Sequence, residues 1–246
     1  MTTVDAGPDG LDYYLLHPGP VQPRRAEGQS PDRLEAIVVE EFVLDADHTA
    51  IRLDGTGWSP ADRQWWGSSA FSRGLRVDPE LRRRVVAVPR AEAAAAYRRL
   101  GGGELPDEAT LRGYFGDGEP LATAAPLRLG PDPVGLGSPD RQVHRILFAN
   151  ELSPAGVANL GAGWRMSITG DLGDPRARVF GTAHRRIGDD AFSWELRRIG
   201  TGTAWCVDVT ARLAGGGRDT LGPLLRELAT AMRAQGLIPV TIERFS

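Results

Sequence analysis

The stretch that decides the predicted fold is residues 178–213, which read RVFGTAHRRI-GDD-AFSWELRRI-GTG-TAWCVDVTARL. Its three longer segments are rich in β-branched and aromatic residues. The short segments between them, Gly188-Asp189-Asp190 and Gly200-Thr201-Gly202, have the turn chemistry of β-hairpins. The stretch therefore predicts three antiparallel strands.

Successive side chains of a strand point to opposite faces, so alternate apolar residues define a buried face. A two-residue loop at Gly200-Thr201 would pair Leu196 with Trp205, Trp194 with Val207 and Phe192 with Val209, which brings the apolar faces of the last two strands together. The reverse face would then hold the polar set Ser193, Glu195, Arg197, Cys206, Asp208, Thr210 and Arg212.

A helix follows these strands, because apolar residues recur at intervals of three and four from Leu221 to Met232. Gly236 ends the helix, and Ile238 to Ile242 begin a closing strand. The predicted fold class is α+β, an antiparallel sheet packed by a long C-terminal amphipathic helix. In element order alone this plan resembles the helix-grip folds.

Proline, glycine and the apolar patterns divide the rest of the chain. Residues 1–33 are predicted to form an extended N-terminal arm, and residues 34–115 an α+β N-terminal part. The proline- and glycine-rich residues 116–141 are predicted to be a linker or crossing loop, and residues 142–246 an antiparallel α+β C-terminal part.

Charge and composition exclude several classes of protein. The formal net charge is −3, so the surface has no general attraction for nucleic acid or for an anionic membrane. All 29 basic residues are arginine, which excludes Schiff-base lysines and the P-loop lysine. The scarcity of lysine and asparagine beside abundant arginine, alanine and glycine indicates a high-GC bacterial genome.

Location and cofactors follow from further absences in the sequence. No apolar run reaches the ~20 residues of a membrane span, and Asp5 and Asp9 lie where a signal peptide needs basic residues. Cys206 is the single cysteine, and the four histidines lack close metal-ligand spacing. We expect a cytoplasmic protein with no membrane or nucleic-acid partner, no metal and no bound cofactor. The sequence is also compatible with a homodimer.

The candidate catalytic residues are His144 and His184, since histidine titrates nearest neutrality and both lie on predicted strands. For each of them alone, a structural or solvated histidine is the favoured alternative. His48 follows two carboxylates in Asp45-Ala46-Asp47-His48, which suits a catalytic group but is more typical of a polar hairpin tip.

The candidate binding residues are tryptophans. Ser59-Pro60 predicts a helix start that places Trp65 and Trp66 within one turn, either as core residues or as the wall of a ligand or partner site. Trp194 and Trp205 lie on the predicted apolar sheet face.

Glu195 and Asp208 would lie diagonally across neighbouring strands in the predicted register. Such a pair could share acid and base roles. Arg197 and Arg212 on the same face favour a structural ion-pair role instead.

Two classes of function remain open. In the first, the aromatic face encloses an apolar small molecule, which the chain binds or converts without a cofactor, as in bacterial secondary metabolism. In the second, the chain is a non-enzymatic protein-interaction or regulatory module. A concave pocket lined by Trp194 and Trp205 would favour the first class, and an exposed aromatic patch would favour the second.

Overall fold

The chain folds into strands and helices that form two compact units. A computed structural model describes residues 10–21, 34–121, 141–200, 204–214 and 218–245, without the side chains of Arg218 and Asp219. The first unit comprises residues 1–43 and 51–121, and the second comprises residues 44–50 and 122–246. Among the described residues 41% are in strands and 27% in helices, so the chain is mostly antiparallel sheet.

The first unit is built on an antiparallel sheet with the strand order β4-β3-β2-β1-β5 and with β6 paired to β3. Its central strands are buried on both faces, since Tyr13 and Tyr14 are both inaccessible, as are Val38 and Val39. The strands are β1 Asp12–Leu16, β2 Ala36–Leu44, β3 Ala50–Ser59, β4 Gln64–Gly67, β5 Val85–Val88 and β6 Glu119–Pro120. The helices are α1 Ser69–Val77, α2 Pro79–Arg82, α3 Arg90–Arg99 and α4 Glu108–Arg112.

The second unit contains a separate antiparallel sheet with the strand order β12-β7-β11-β10-β9-β8. One face is apolar and buried, and it includes Ile146, Trp194 and Val209. The strands are β7 Arg141–Ala149, β8 Ser167–Ile168, β9 Val179–Ile187, β10 Asp190–Ile199, β11 Ala204–Arg212 and β12 Ile238–Arg244. The helices are α5 Pro154–Trp164 and α6 Arg218–Arg233.

The predicted fold class, one antiparallel sheet packed by a long C-terminal amphipathic helix in a helix-grip-like plan, is wrong. The described residues form two sheets, and α6 is a short helix of 16 residues. The apolar strands β1, β2 and β3 form their own sheet, and helices of their own unit help to cover it. Much of the apolar surface of the chain is therefore buried independently of α6.

The predicted hairpin register is also wrong, by two residues. Leu196 pairs with Val207 rather than Trp205, and Ile199 pairs with Ala204. The connection is therefore four residues, 200–203, instead of two. Because side chains alternate with a period of two, this shift exchanges partners but keeps every side chain on its predicted face.

Trp65 and Trp66 lie on a strand, not on the predicted helix. Ser59 ends β3, a tight turn follows, and β4 pairs back on β3 with Trp65 opposite Trp58. A Cβ on Gly57 would lie 2.3 Å from the Trp66 ring, so this glycine allows the indole to pack over the neighbouring strand.

Parts of the predicted arm and linker lie outside the described residues, namely 1–9, 22–33 and 122–140. Within the predicted arm, Asp12–Leu16 forms β1, which lies between β2 and β5. The predicted division into parts at 34–115 and 142–246 stays a prediction.

A buried carboxylate fixes the chain ahead of α6. Asp190, predicted as a turn residue, is the first residue of β10 and is 5% exposed. Its Oδ1 accepts a hydrogen bond from the Ala214 amide at 2.7 Å, and its Oδ2 accepts one from the Thr220 hydroxyl at 2.5 Å. These bonds tie the start of α6 to the β9–β10 hairpin, and they satisfy a carboxylate that would otherwise be costly to bury.

Among the helices of the described residues, none combines the length and the apolar character that crossing a bilayer requires.

We predict that Leu228→Ala destabilises the protein by about 2–5 kcal/mol, because Leu228 on α6 is fully buried and truncation leaves a cavity. Denaturant titration measures this change. Thr230→Ala, at an exposed position of the same helix, is the control and should change stability by less than about 0.5 kcal/mol. Equal effects of the two substitutions would contradict the burial of Leu228.

Candidate functional site

The open face of the second sheet carries its polar side chains in rows that run across the strands. Antiparallel pairing places Glu195 opposite Asp208, and Asp208 opposite Arg145. Two residues along, Ser193 is flanked by His184 and Thr210. The other face of the same strands is apolar and buried, so these rows form the polar surface of the unit.

The row through Glu195 and Asp208 is electrostatically compensated. The Arg145 guanidinium donates to both oxygens of Asp208, at 2.6 and 2.7 Å, and this hydrogen bonding raises the pKa of Arg145. Arg197 lies 3.3 Å from a Glu195 oxygen and 3.5 Å from an Asp208 oxygen. Each carboxylate therefore has a guanidinium partner, which is the arrangement of a structural ion-pair network.

The row through Ala191 lies beyond the row through Ser193, and it contains arginines but no carboxylates. Arg186, Ala191, Arg212 and Arg141 are directly paired across β9, β10, β11 and β7. We call Arg141, Arg186 and Arg212 the arginine row. Within the described part of the chain, none of their guanidinium groups makes a hydrogen bond, an ion pair or a ring contact. Arg212 and Arg141 are like charges at opposed positions, an arrangement that destabilises a sheet.

A depression of about 310 Å³ opens beside this row. The Ala191 methyl group leaves space between the longer side chains, and Ser193 and Thr210 contribute hydroxyl groups that can donate hydrogen bonds. The lining residues are Arg141, Ala191, Phe192, Ser193, Thr210 and Arg212. Guanidinium forks and hydroxyl donors around one small space favour an oxyanion such as a phosphate or a carboxylate.

The two candidate catalytic histidines lie on opposite faces of the sheet. His184 is exposed on β9, opposite Ser193 and one row from Arg212. His144 is fully buried on β7, opposite Val209. The structure therefore does not bring them into one site, and the role predicted for each stays a prediction.

His144 lies beside the hairpin loop at residues 44–50. Its Nε2 is 3.2 Å from the Gln142 side-chain oxygen, and its ring centre is 6.2 Å from that of His48. Burial lowers the pKa of His144 from 6.5 to about 4, and the electrostatic influence of His48 and Arg244 acts in the same direction. Gly222 on α6 allows this approach, since a Cβ there would lie 3.2 Å from the His48 ring. His144 is accordingly neutral at physiological pH.

The candidate binding tryptophans belong to both units. Trp194 and Trp205 are 1% and 0% exposed. Trp194 packs edge-on against Trp164 at 6.2 Å, and Trp205 packs against Phe180 at 4.8 Å between ring centres. Both indoles therefore make ring contacts in the core of the second unit.

Trp65 and Trp66 are half-buried in the first unit. Trp65 stacks on Tyr114 with ring centres 5.6 Å apart, and Tyr114 is 41% exposed. Trp66 contacts Phe71 edge-on at 6.3 Å. Trp65 also contacts Tyr97 of α3, with ring centres 5.7 Å apart, so this aromatic group joins the core of the first unit to its surface.

Metal and thiol chemistry find no support in the described residues. No group of three or more histidine, cysteine or acidic side chains there has the geometry to hold a metal ion. Burial raises the pKa of the Cys206 thiol to about 12, so a thiolate nucleophile is disfavoured at neutral pH.

The sequence interpretation missed the arginine row and its hydroxyl neighbours as a site. Ser193, Thr210 and Arg212 were assigned to the correct face, but Arg141 fell at the end of the predicted linker. Only the observed pairing of β7 with β11 places Arg141 beside Arg212. Residues 141–145 read Arg-Gln-Val-His-Arg, which does not alternate polar and apolar side chains, so no local pattern extends β7 to Arg141.

Comparison with protein-family models, with curated proteins and with solved structures gives no match. Only the geometry and chemistry of the chain itself therefore bear on its function.

We predict that His144 makes the protein less stable in mild acid. Its pKa is about 4 when folded and 6.5 when unfolded, so between these values the unfolded chain binds one more proton. The stability that His144 contributes is complete above pH 6.5, falls as the pH drops towards 4, and changes no further below that. The full loss is on the order of 3 kcal/mol.

Denaturant titrations at several pH values, on the wild type and on His144→Gln, measure this effect. The difference in unfolding free energy between the two proteins should shrink as the pH falls from 7 to about 4. The carboxylates shared by both proteins cancel in that difference. A difference that is independent of pH would show that His144 is not protected from protonation in the folded state.

Proposed function

We propose that the chain is a binding protein for a small anionic ligand, which it holds in the depression beside the arginine row. The observation that carries this proposal is the direct pairing of Arg141 with Arg212, two guanidinium groups without a carboxylate partner in the described structure. On the same face, Arg145 and Arg197 both have carboxylate partners. An anion between Arg141 and Arg212 would convert a repulsive pair into two attractive ones.

The donors around the depression suit an oxyanion. A guanidinium group presents a planar fork of N–H donors that matches the oxygens of a carboxylate or phosphate, and such charged hydrogen bonds are the strong ones. The hydroxyls of Ser193 and Thr210 add neutral donors at the same place. Because Arg212 is exposed, water weakens each contact, and we expect a dissociation constant for a single phosphate on the order of 1 mM.

The two function classes left open by the sequence receive less support from the geometry. Trp194 and Trp205 pack against other rings in the core, so they give no support to an apolar ligand between them. The exposed Tyr114 beside Trp65 is compatible with a protein-interaction surface, but no charge or shape feature among the described residues identifies its partner. The arginine row identifies at least the charge of its ligand.

The proposed ligand is a small molecule rather than a nucleic acid or a membrane surface. A space of about 310 Å³ lies at the lower end of the range for small-molecule pockets. The formal net charge of −3 gives no wider attraction for a polyanion. A cytoplasmic location, where phosphate esters and carboxylates abound, is part of the proposal.

We predict that wild-type protein binds inorganic phosphate saturably and that Arg212→Gln weakens binding at least about tenfold, the effect of losing roughly 1.4 kcal/mol of charged hydrogen bonding. Amide chemical shifts of Ser193 and Thr210 in an NMR titration at constant ionic strength report the binding. Arg176→Gln, at an exposed turn position, is the control and should bind like the wild type. Identical titrations of wild type and Arg212→Gln would refute the proposed site.

We also predict that Arg212→Gln raises the stability of the ligand-free protein by roughly 0.2–1 kcal/mol, because it removes the opposed like charges. Arg176→Gln again serves as the control. Thermal unfolding at low ionic strength shows the effect best, since salt screens the repulsion. A loss of stability in Arg212→Gln would mean that Arg212 has a structural role in the sheet.

A further inference from the structure

Arg186 provides a second positively charged position in the arginine row, apart from the Arg141–Arg212 pair. It lies in the same row as Arg212, with Ala191 of β10 between them. Neighbouring strands are ~4.8 Å apart, so the two arginines start about 10 Å apart across two strand spacings. The methyl group of Ala191 leaves the space between them open.

The row is therefore asymmetric. Arg141 and Arg212 are on adjacent strands and can both reach one anionic group, whereas Arg186 is a strand further away. Arg186 is exposed and, within the described residues, makes no ion pair. Of the nearest acidic residues in sequence, Asp190 is buried with Ala214 and Thr220, and Asp189 lies in the hairpin turn and makes no ion pair with Arg186.

From this spacing we infer that the ligand carries two anionic groups about 10 Å apart, one held by Arg141 and Arg212 and the other by Arg186. This inference rests on the proposed function, which it deepens by naming the ligand class. The chemical class is an elongated bis-phosphate, or an equivalent bis-oxyanion, with a neutral linker that crosses Ala191. A compact dianion would occupy only the paired end of the row.

The two ends of the row make different demands on a ligand, and this separates the inference from the proposed function. The Arg141–Arg212 end is needed for any oxyanion, but Arg186 is needed only for a ligand long enough to reach it. Removing Arg212 should weaken every anionic ligand. Removing Arg186 should weaken only the elongated one.

The experiment compares the bis-phosphates of ethylene glycol and of hexanediol by isothermal titration calorimetry at constant ionic strength. Both carry two phosphate groups, but only the hexanediol linker spans the row when extended. We expect the wild type to bind the hexanediol compound about tenfold more tightly, the effect of one additional charged contact. Arg186→Gln should abolish this preference and leave the affinity for the ethylene glycol compound unchanged.

The possible failures are distinguishable. Equal affinities for the two compounds in the wild type, or an equal loss of both in Arg186→Gln, would overturn the two-group ligand while the proposed function stands. Binding of neither compound, or binding that Arg212→Gln leaves unchanged, would overturn the proposed function and the inference with it. Circular dichroism and thermal unfolding verify that each variant is folded.

A doubly phosphorylated peptide tests whether the two anionic groups belong to a small molecule or to a protein segment. The capped peptide pSer-Gly-Gly-pSer has a similar reach, because three residue steps of an extended chain span about 10 Å. Affinity equal to or weaker than that of hexanediol bis-phosphate supports a small-molecule ligand. Affinity tenfold tighter than that of hexanediol bis-phosphate would overturn the small-molecule class in favour of a phosphorylated protein segment.

Discussion

The pairing register of β9, β10, β11 and β7 is the constraint on which the second unit depends. Because side chains alternate with a period of two, the register determines which residues enter the core and which residues meet on the open face. Trp194 opposite Val209 and Ile146 beside Val207 build the apolar face. The same pairings bring Asp208 to Arg145 and Arg212 to Arg141. Core packing and surface electrostatics are thus two results of one set of backbone hydrogen bonds.

From the sequence, the face of the sheet on which each side chain lies could be predicted better than the cross-strand partner of each residue. The burial of Leu196 and Val207 could be predicted from the alternation of side chains, because a shift of two residues does not change it. The pairing of Glu195 with Asp208 could not be predicted, because it depends on the register. Loop length sets the register, and Gly200-Thr201-Gly202 is compatible with more than one length. The place of β1 in the sheet of the first unit was missed for a related reason. Pairing of Asp12–Leu16 with β2 and β5 joins segments distant in sequence, and local patterns do not encode such contacts.

Buried polar groups mark the places where local rules failed and the fold compensates. In the first unit, Glu40 is 1% exposed and forms a two-pronged ion pair with Arg76, at 2.7 and 2.9 Å. Asp190, which looked like part of a polar turn, is buried because backbone and hydroxyl donors satisfy it. His144 remains neutral in the core of the second unit. Removing one partner of the Glu40–Arg76 pair would leave a buried charge uncompensated, which costs more free energy than the pair itself contributes to stability.

The open face shows the opposite case, since the charges of the arginine row have no carboxylate partner among the residues that the structure describes. A lysine beside an arginine could lower its pKa and lose its proton, which would relieve the repulsion. The chain contains no lysine, and a guanidinium group stays protonated throughout the physiological range. Arg141 and Arg212 therefore remain charged, so the ways to relieve their repulsion are to splay the side chains into water or to place an anion between them. Only a bound anion both relieves the repulsion and adds an attractive interaction. Arg145, Arg185 and Arg197 in the same sheet are each paired with carboxylates, whereas among the described residues the arginine row has no carboxylate partner. An external anion would supply the negative charge that this row lacks, and it is the simplest physical way to do so.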